Sequence, residues 1–291
     1  MSKTVTRRRA LTVEMTSGSL WKNILLFSLP LMMTQVLEVL FNLSDVAIAG
    51  KFADYRALGA VGSTTLLVSL FTGLLIGMGS GVNVAVARGL GMGDKQRVEK
   101  TVHTSFVLCA AFGVVLCLIC VLLARPMLAL LNTKDELIDG ATLYLKIYAF
   151  GMPAMALYNF GNGVLSATGD TKRPLLYLSL SGVLNVILNL FFVIRCHMAA
   201  DGVATASVIA QWLSALLIVL HLLFPSLITI SCAITLGAIA SATAPAATLM
   251  VIRQYKADGP LTRLLMLVVA IDDAVGLVLF SVSFGIATAL S

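Results

Sequence analysis

A chain of 291 residues that is 59% hydrophobic and only 12% charged cannot cover a water-exposed surface, because an ordinary soluble domain carries about 25% charged residues. The mean hydropathy of +0.98 agrees, so the lipid bilayer is the first partner to consider. The net charge of +6 does not point to nucleic acid, since the basic residues fall in short gaps between apolar runs, as topology signals do.

Residues 1–23 carry Arg7, Arg8 and Arg9 but no short apolar region and no small-residue cleavage site, and read as an uncleaved cytoplasmic arm. Spanning takes about 20 apolar residues. Run 24–50 has only Glu38 and Asp45 as charges. Runs 57–87 and 102–124 have none. Run 141–167 has only Lys146, and run 174–194 has none. From 202 to 252 there is again no charge; that stretch is too long for one helix and should break around His221–Pro225. Run 264–290 contains Asp272 and Asp273. The runs are continuous rather than alternating, which favours helices over barrel strands. The expected fold is an all-α membrane protein of about eight transmembrane helices.

Lys and Arg in short loops set orientation. The arm and the gaps after the second and fourth spans hold eleven, and the opposite side holds five. The arm is thus expected to be cytoplasmic, with multiple passes through the cell membrane. The rule fails once: the gap 253–263 carries Arg253, Lys256 and Arg263 against Asp258 alone, on the side the count places outside.

Charged and polar groups inside spans are expensive and mark function by default. In the first span Gln35, Glu38, Asn42 and Asp45 are spaced three, four and three, which puts them along one face. The stripe must face protein or a water-filled cavity, where Asp45 could exchange a proton. Pro30 in the same span is expected to bend it. Asn159, Asn162 and Ser166 in the fourth span and Ser181, Asn185 and Asn189 in the fifth form further stripes, with Gln211 in the sixth of the same kind. Three stripes suggest one shared cavity; the plainer alternative is polar contact between helices. Gly73, Gly77 and Gly81 form a small-residue face predicted to pack closely on another helix. The five cysteines, Cys109, Cys117, Cys120, Cys196 and Cys232, read as small buried hydrophobes. Asp272 and Asp273 follow a helix-breaking Thr243-Ala244-Pro245, an arrangement suited to an ion site. No metal spacing is present. There is no GxSxG, HExxH or phosphate loop, so an enzyme is not expected and no cofactor is implied.

The first part resembles the MATE (multidrug and toxin extrusion) transporters. The resemblance covers about residues 15–223 and rests on five segments: Trp21-Lys22-Asn23-Ile24 with Phe27-Ser28-Leu29-Pro30-Leu31; Phe41-Asn42-Leu43-Ser44-Asp45; Ala60-Val61-Gly62-Ser63; Asn83-Val84-Ala85-Val86-Ala87-Arg88; and the segment from Gly163 through Gly169-Asp170 to Pro174. It implies the six-helix N-terminal lobe of a two-lobe carrier that exchanges H⁺ or Na⁺ for organic cations and drugs. It also implies that Asp45 is the coupling acid and Pro30 the bending proline. Asn189 stands where many members carry a second acid.

The last part, with Ala242-Thr243-Ala244-Pro245 and Ile271-Asp272-Asp273-Ala274, resembles the monovalent cation:proton antiporters. That family's cytoplasmic loop between these elements would explain the charge reversal at 253–263. The organisation expected is therefore an arm (1–23), a MATE-like lobe (24–223) and an antiporter-like fragment (224–291), with the join between about 218 and 230. The function expected is drug or organic cation efflux by H⁺ or Na⁺ antiport, working with a second lobe or another copy. The alternatives are a cation:proton antiporter resting on Asp272 and Asp273, or a composite fragment without transport of its own.

Overall fold

The computed structural model describes residues 20–223. The chain divides into two units, Met1–Leu223 and Phe224–Ser291, and the described residues belong to the first. The last two expected spans, the gap 253–263, Cys232, Thr243, Pro245, Asp272 and Asp273 lie outside the described residues.

The described residues are entirely helical apart from short connections. α1 covers Leu20–Phe52, α2 Tyr55–Gly91, α3 Lys95–Leu130, α4 Asp135–Ala149 and α5 Met152–Ala167. α6 covers Lys172–Leu190 and runs on through a π-helical turn at Phe191–Arg195, and α7 covers Ala200–Leu223. Among the described residues, α1, α2, α3, α6 with its π turn and α7 are long and apolar enough to cross a membrane.

α1 to α3 are longer than the apolar runs that foretold them, because a helix continues until something satisfies its terminal backbone groups. The Asp54 carboxylate accepts the Ala57 N–H at 2.8 Å to start α2, and Asp94 accepts the Arg97 N–H at 3.0 Å to start α3. Between them Gly93 takes φ +69°, and the Asp94 N–H returns to the Gly89 carbonyl. This is the left-handed helix stop that glycine permits most cheaply.

The fourth expected span is two helices. α4 and α5, 15 and 16 residues long, meet at Phe150-Gly151. Pro153 explains the break: it has no N–H to offer the Ala149 carbonyl, and its ring would clash there. The length and mainly apolar composition of 141–167 outweighed the Gly151-Met152-Pro153 signal that marks the break. Pro30, by contrast, sits inside a continuous α1, where the Thr34 hydroxyl donates to the Pro30 carbonyl at 2.9 Å.

The core mixes large side chains such as Leu75, Leu128, Leu145 and Met152 with many small ones. Ala49, Cys120, Ala124, Ala141, Ala149 and Ala204 are essentially fully buried, which lets helix backbones approach where lipid provides no hydrophobic drive between helices. Cys109 and Cys117 are also buried, as expected, whereas Cys196 is exposed at the end of the π turn.

The glycine expectation needs correcting. Gly73, Gly77 and Gly81 face open space among the described residues, and the close contact is made by Gly79. A Cβ on Gly79 would lie 2.6 Å from the Asn159 carbonyl oxygen, and Gly163 packs directly on the Gly79 carbonyl. Two residues from Gly77 is about 200° around the helix, so the packed face of α2 is opposite the predicted stripe. The Asn83 amide donates to the Gly163 carbonyl at 3.3 Å and closes the same α2–α5 seam.

At one end of the lobe, Arg173 Nη1 donates to Asp170 Oδ2 at 2.6 Å and lies 3.3 Å from His221 Nε2. The Tyr158 hydroxyl donates to the Pro174 carbonyl at 3.0 Å. These contacts fasten the α5–α6 connection to the end of α7. They also give the Gly163–Pro174 segment a structural role.

Gly79→Ala should lower the thermal stability of the detergent-solubilised protein by about 1–3 kcal/mol through overpacking, whereas Gly77→Ala should stay within about 0.5 kcal/mol. Equal melting temperatures for the two variants would contradict this seam.

Candidate functional site

Asp45 is 4% exposed and Asn189 is fully buried. A carboxylate inside an apolar bundle is tolerable only if it is solvated by fixed donors. The donors come from two other helices. Asn189 Nδ2 donates to Asp45 Oδ1 at 2.5 Å, and the Ser207 hydroxyl lies 2.8 Å from Asp45 Oδ2. Asn189 Nδ2 also donates to Asn185 Oδ1 at 3.2 Å, and Asn185 Nδ2 donates to Ser207 Oγ at 3.1 Å. The result is a closed ring through α1, α6 and α7. Asn185 and Asn189 are four residues apart, so one face of α6 presents both amides.

The ring borders a cavity of about 90 Å³. α1 contributes Glu38, Phe41, Asn42 and Asp45, and α2 contributes Thr72. Tyr148 comes from α4, with Met155, Tyr158 and Asn159 from α5. α6 supplies Leu178, Ser181, Gly182 and Asn185, and α7 supplies Ser207, Ala210, Gln211 and Ser214. Glu38, Asp45, Tyr148 and Tyr158 all line it. The cavity therefore combines two carboxylates, two phenols and an apolar wall.

Most of the residues picked out by spacing meet here: Glu38, Asn42, Asp45, Asn159, Asn185 and Gln211 line the cavity, and Asn189 stands behind it against Asp45. Gln35 and Asn162 do not line it. Gln35 is exposed; ten residues from Asp45, it lies about 80° round α1, whereas Glu38, seven away, lies within about 20°. Asn162 Oδ1 accepts the Ser166 hydroxyl at 3.2 Å within α5. Asn159 itself donates to the Met155 carbonyl at 2.9 Å.

Sequence reasoning missed Ser207, Thr72, Tyr148 and Tyr158. Ser207 did carry a spacing signal, since Ser207, Gln211 and Ser214 are spaced four and three along one face of α7 and all three line the cavity. Tyrosines in an apolar run read as core.

Two chemical capabilities follow. Asp45, accepting at both oxygens, is set up as a carboxylate that can take one proton. The ring also concentrates oxygen atoms, and Asn189 Oδ1 is buried without a hydrogen-bond partner. Reorienting the two amides would add their oxygens to Asp45 and Ser207, a hard-oxygen set suited to a small cation. Among the described residues no cluster of three His, Cys, Asp or Glu side chains could hold a metal.

The MatE family profile matches residues 30–191, more than half of the chain. The chain belongs to the MATE family. It is 30% identical over 177 residues to the Bacillus subtilis protein described as probable multidrug resistance protein YoeA, covering 61% of this chain and 38% of that protein. It is 24% identical over 204 residues to an FAD transporter of Shewanella oneidensis, covering 69% and 45%. The solved outward-facing conformation of a multidrug resistance MATE family transporter of the MOP superfamily is 25% identical. It superposes with a TM-score of 0.65 over 70% of this chain and 45% of that one. The chain thus spans less than half the length of these relatives. Its helices, composition and relatives make it a multi-pass membrane protein of a transporter family.

Asn189→Ala should destabilise the folded protein by about 1–3 kcal/mol, because it leaves a buried carboxylate oxygen without its donor. Asn162→Ala, outside the ring, should have the smaller effect. Thermal unfolding of the two purified variants in the same detergent compares them directly.

Proposed function

We propose that this MATE lobe binds amphipathic organic cations and drugs and takes part in their efflux, in exchange for H⁺ or Na⁺ at Asp45. The carrying observation is the closed hydrogen-bond ring that holds Asp45 at the wall of an intramembrane cavity. A group that can gain a proton or a small cation there changes the charge of the cavity, which is what antiport requires.

The lining supports a cationic cargo. Glu38 and Asp45 give it a negative field, Tyr148 and Tyr158 offer ring faces for cations, and Phe41, Met155 and Leu178 offer apolar contact. The FAD transporter among the relatives is named for an anionic dinucleotide; two carboxylates without a basic residue in the lining argue against such a cargo here. A second lobe or another copy of the chain is the partner that would complete a carrier. The charge distribution favours a cytoplasmic arm. The antiporter-like reading of 224–291 rests on the sequence pattern of Thr243-Ala244-Pro245 and Asp272-Asp273.

In proteoliposomes holding the full chain, an imposed H⁺ or Na⁺ gradient should drive ethidium accumulation, and Asp45→Asn should abolish the gradient dependence. Gradient-driven accumulation that survives Asp45→Asn would overturn the coupling role. If that surviving flux is lost in the Asp272→Asn/Asp273→Asn double variant, the coupling belongs to the C-terminal segment instead.

A further inference from the structure

The two carboxylates of the cavity are solvated in opposite ways. Both oxygens of Asp45 accept hydrogen bonds from the ring. Among the described residues no hydrogen bond or ion pair reaches the Glu38 carboxylate, although it lines the same cavity. Glu38 is seven residues before Asp45 on α1, so it stands about 10 Å along the helix from it and within about 20° of the same face. It lies well inside a helix long and apolar enough to cross the membrane, where a carboxylate needs a partner.

The wall has little to offer it. The Tyr158 hydroxyl gives its hydrogen to the Pro174 carbonyl at 3.0 Å, and the Ser181 hydroxyl gives its own to the Leu178 carbonyl at 3.0 Å. The Ser214 hydroxyl donates to the Gln211 carbonyl at 2.8 Å, and the Asn159 amide donates to the Met155 carbonyl at 2.9 Å. All four residues line the cavity, and among the described residues no Lys, Arg or His does. Acceptors are in surplus instead: Gln211 Oε1, from another lining residue, is also buried without a hydrogen-bond partner. The cavity is therefore complete around Asp45 and short of donors and positive charge at Glu38.

The geometry points to Glu38 as the residue that pairs with the positive charge of the cargo, leaving Asp45 to the exchanged ion. A cation that settled on Asp45 would have to displace Asn189 and Ser207 and leave their polar groups unpaired. At Glu38 it displaces no protein donor. The ligand that fits is an aromatic organic cation, with its charge on Glu38 and its apolar body against Phe41, Tyr158 and Met155. This inference rests on the proposed efflux of organic cations and divides the site within that reading: one carboxylate reads the cargo and the other serves the coupling ion.

The test compares two probes on the full chain in nanodiscs. Ethidium is a permanent cation, and dihydroethidium, kept free of oxygen, is its uncharged reduced form of nearly the same shape. The unmodified chain should bind ethidium at least about tenfold more tightly than dihydroethidium, as a hydrogen-bonded charge pair requires. Glu38→Gln, which keeps the length and shape of the side chain, should bring the two affinities together by weakening ethidium. Glu38→Asp, which keeps the charge, should retain the preference. Gln35→Ala, on the same helix outside the cavity, should change neither affinity. Because the empty protein gives Glu38 no partner, the melting temperature of Glu38→Gln without cargo should equal or exceed that of the unmodified chain. A preference for ethidium that survives Glu38→Gln would overturn this inference and leave the cationic cargo standing. Equal weakening of both probes, or a lower melting temperature for empty Glu38→Gln, would assign Glu38 to the structure of the wall and overturn it as well. No preference for ethidium in the unmodified chain would overturn it together with the cationic-cargo reading.

Discussion

A carboxylate held out of water in the middle of a helical bundle must find its solvation in the protein, and Asp45 finds it in α6 and α7. A buried charge stripped of its partners is strongly destabilising, so the position of α1 is tied to the Asn185–Asn189 face and to Ser207. α1 otherwise presents much of its surface outward, with Leu25, Leu29, Met32, Val39 and Leu43 exposed. The polar ring fixes where α1 sits together with the packing of Phe41 on Gly182 and of Ile48 and Ala49 in the core. The remaining helices meet through leucines and aromatic side chains together with alanines, glycines and buried cysteines, the small residues allowing close backbone approach.

The two irregularities in the helices stand next to this ring. Directly after Asn189, α6 passes into a π turn at Phe191–Arg195, a local form that recurs at functional sites. One turn of α7 beyond Ser207, the fourth span breaks at Phe150-Gly151, where the Trp212 indole donates to the Phe150 carbonyl. Both interrupt the regular i→i−4 hydrogen-bond pattern beside elements that touch the carboxyl. Interrupted helices beside a charged site are how membrane carriers bring a site and its moving parts together. Here the interruption belongs to the wall, while the carboxyl sits on an unbroken helix.

The acidic, aromatic and apolar lining is what the proposed cationic cargo would meet. Charge draws any cation into the cavity, and tyrosine faces and methionine adapt to different shapes.

The sequence by itself determined the membrane class, because apolar runs of this length leave no other surface compatible with them. It also determined that Glu38 and Asp45 share a face, because seven residues are close to two helical turns, and that the amides of Asn185 and Asn189 face the same way. It exaggerated the reach of that face, since Gln35 drifts round the helix by ten residues and Asn162 is satisfied by its own helix. It placed the glycine contact on the wrong side of α2, because three open glycines at a regular spacing conceal the one that packs on another helix's backbone, Gly79. Only the tertiary structure decided that Ser207 closes the ring, that Tyr148 and Tyr158 face the cavity, and that the fourth span is two helices braced by α7. Those features depend on which residue from a distant helix arrives opposite another, and periodicity along one helix carries no information about its neighbour.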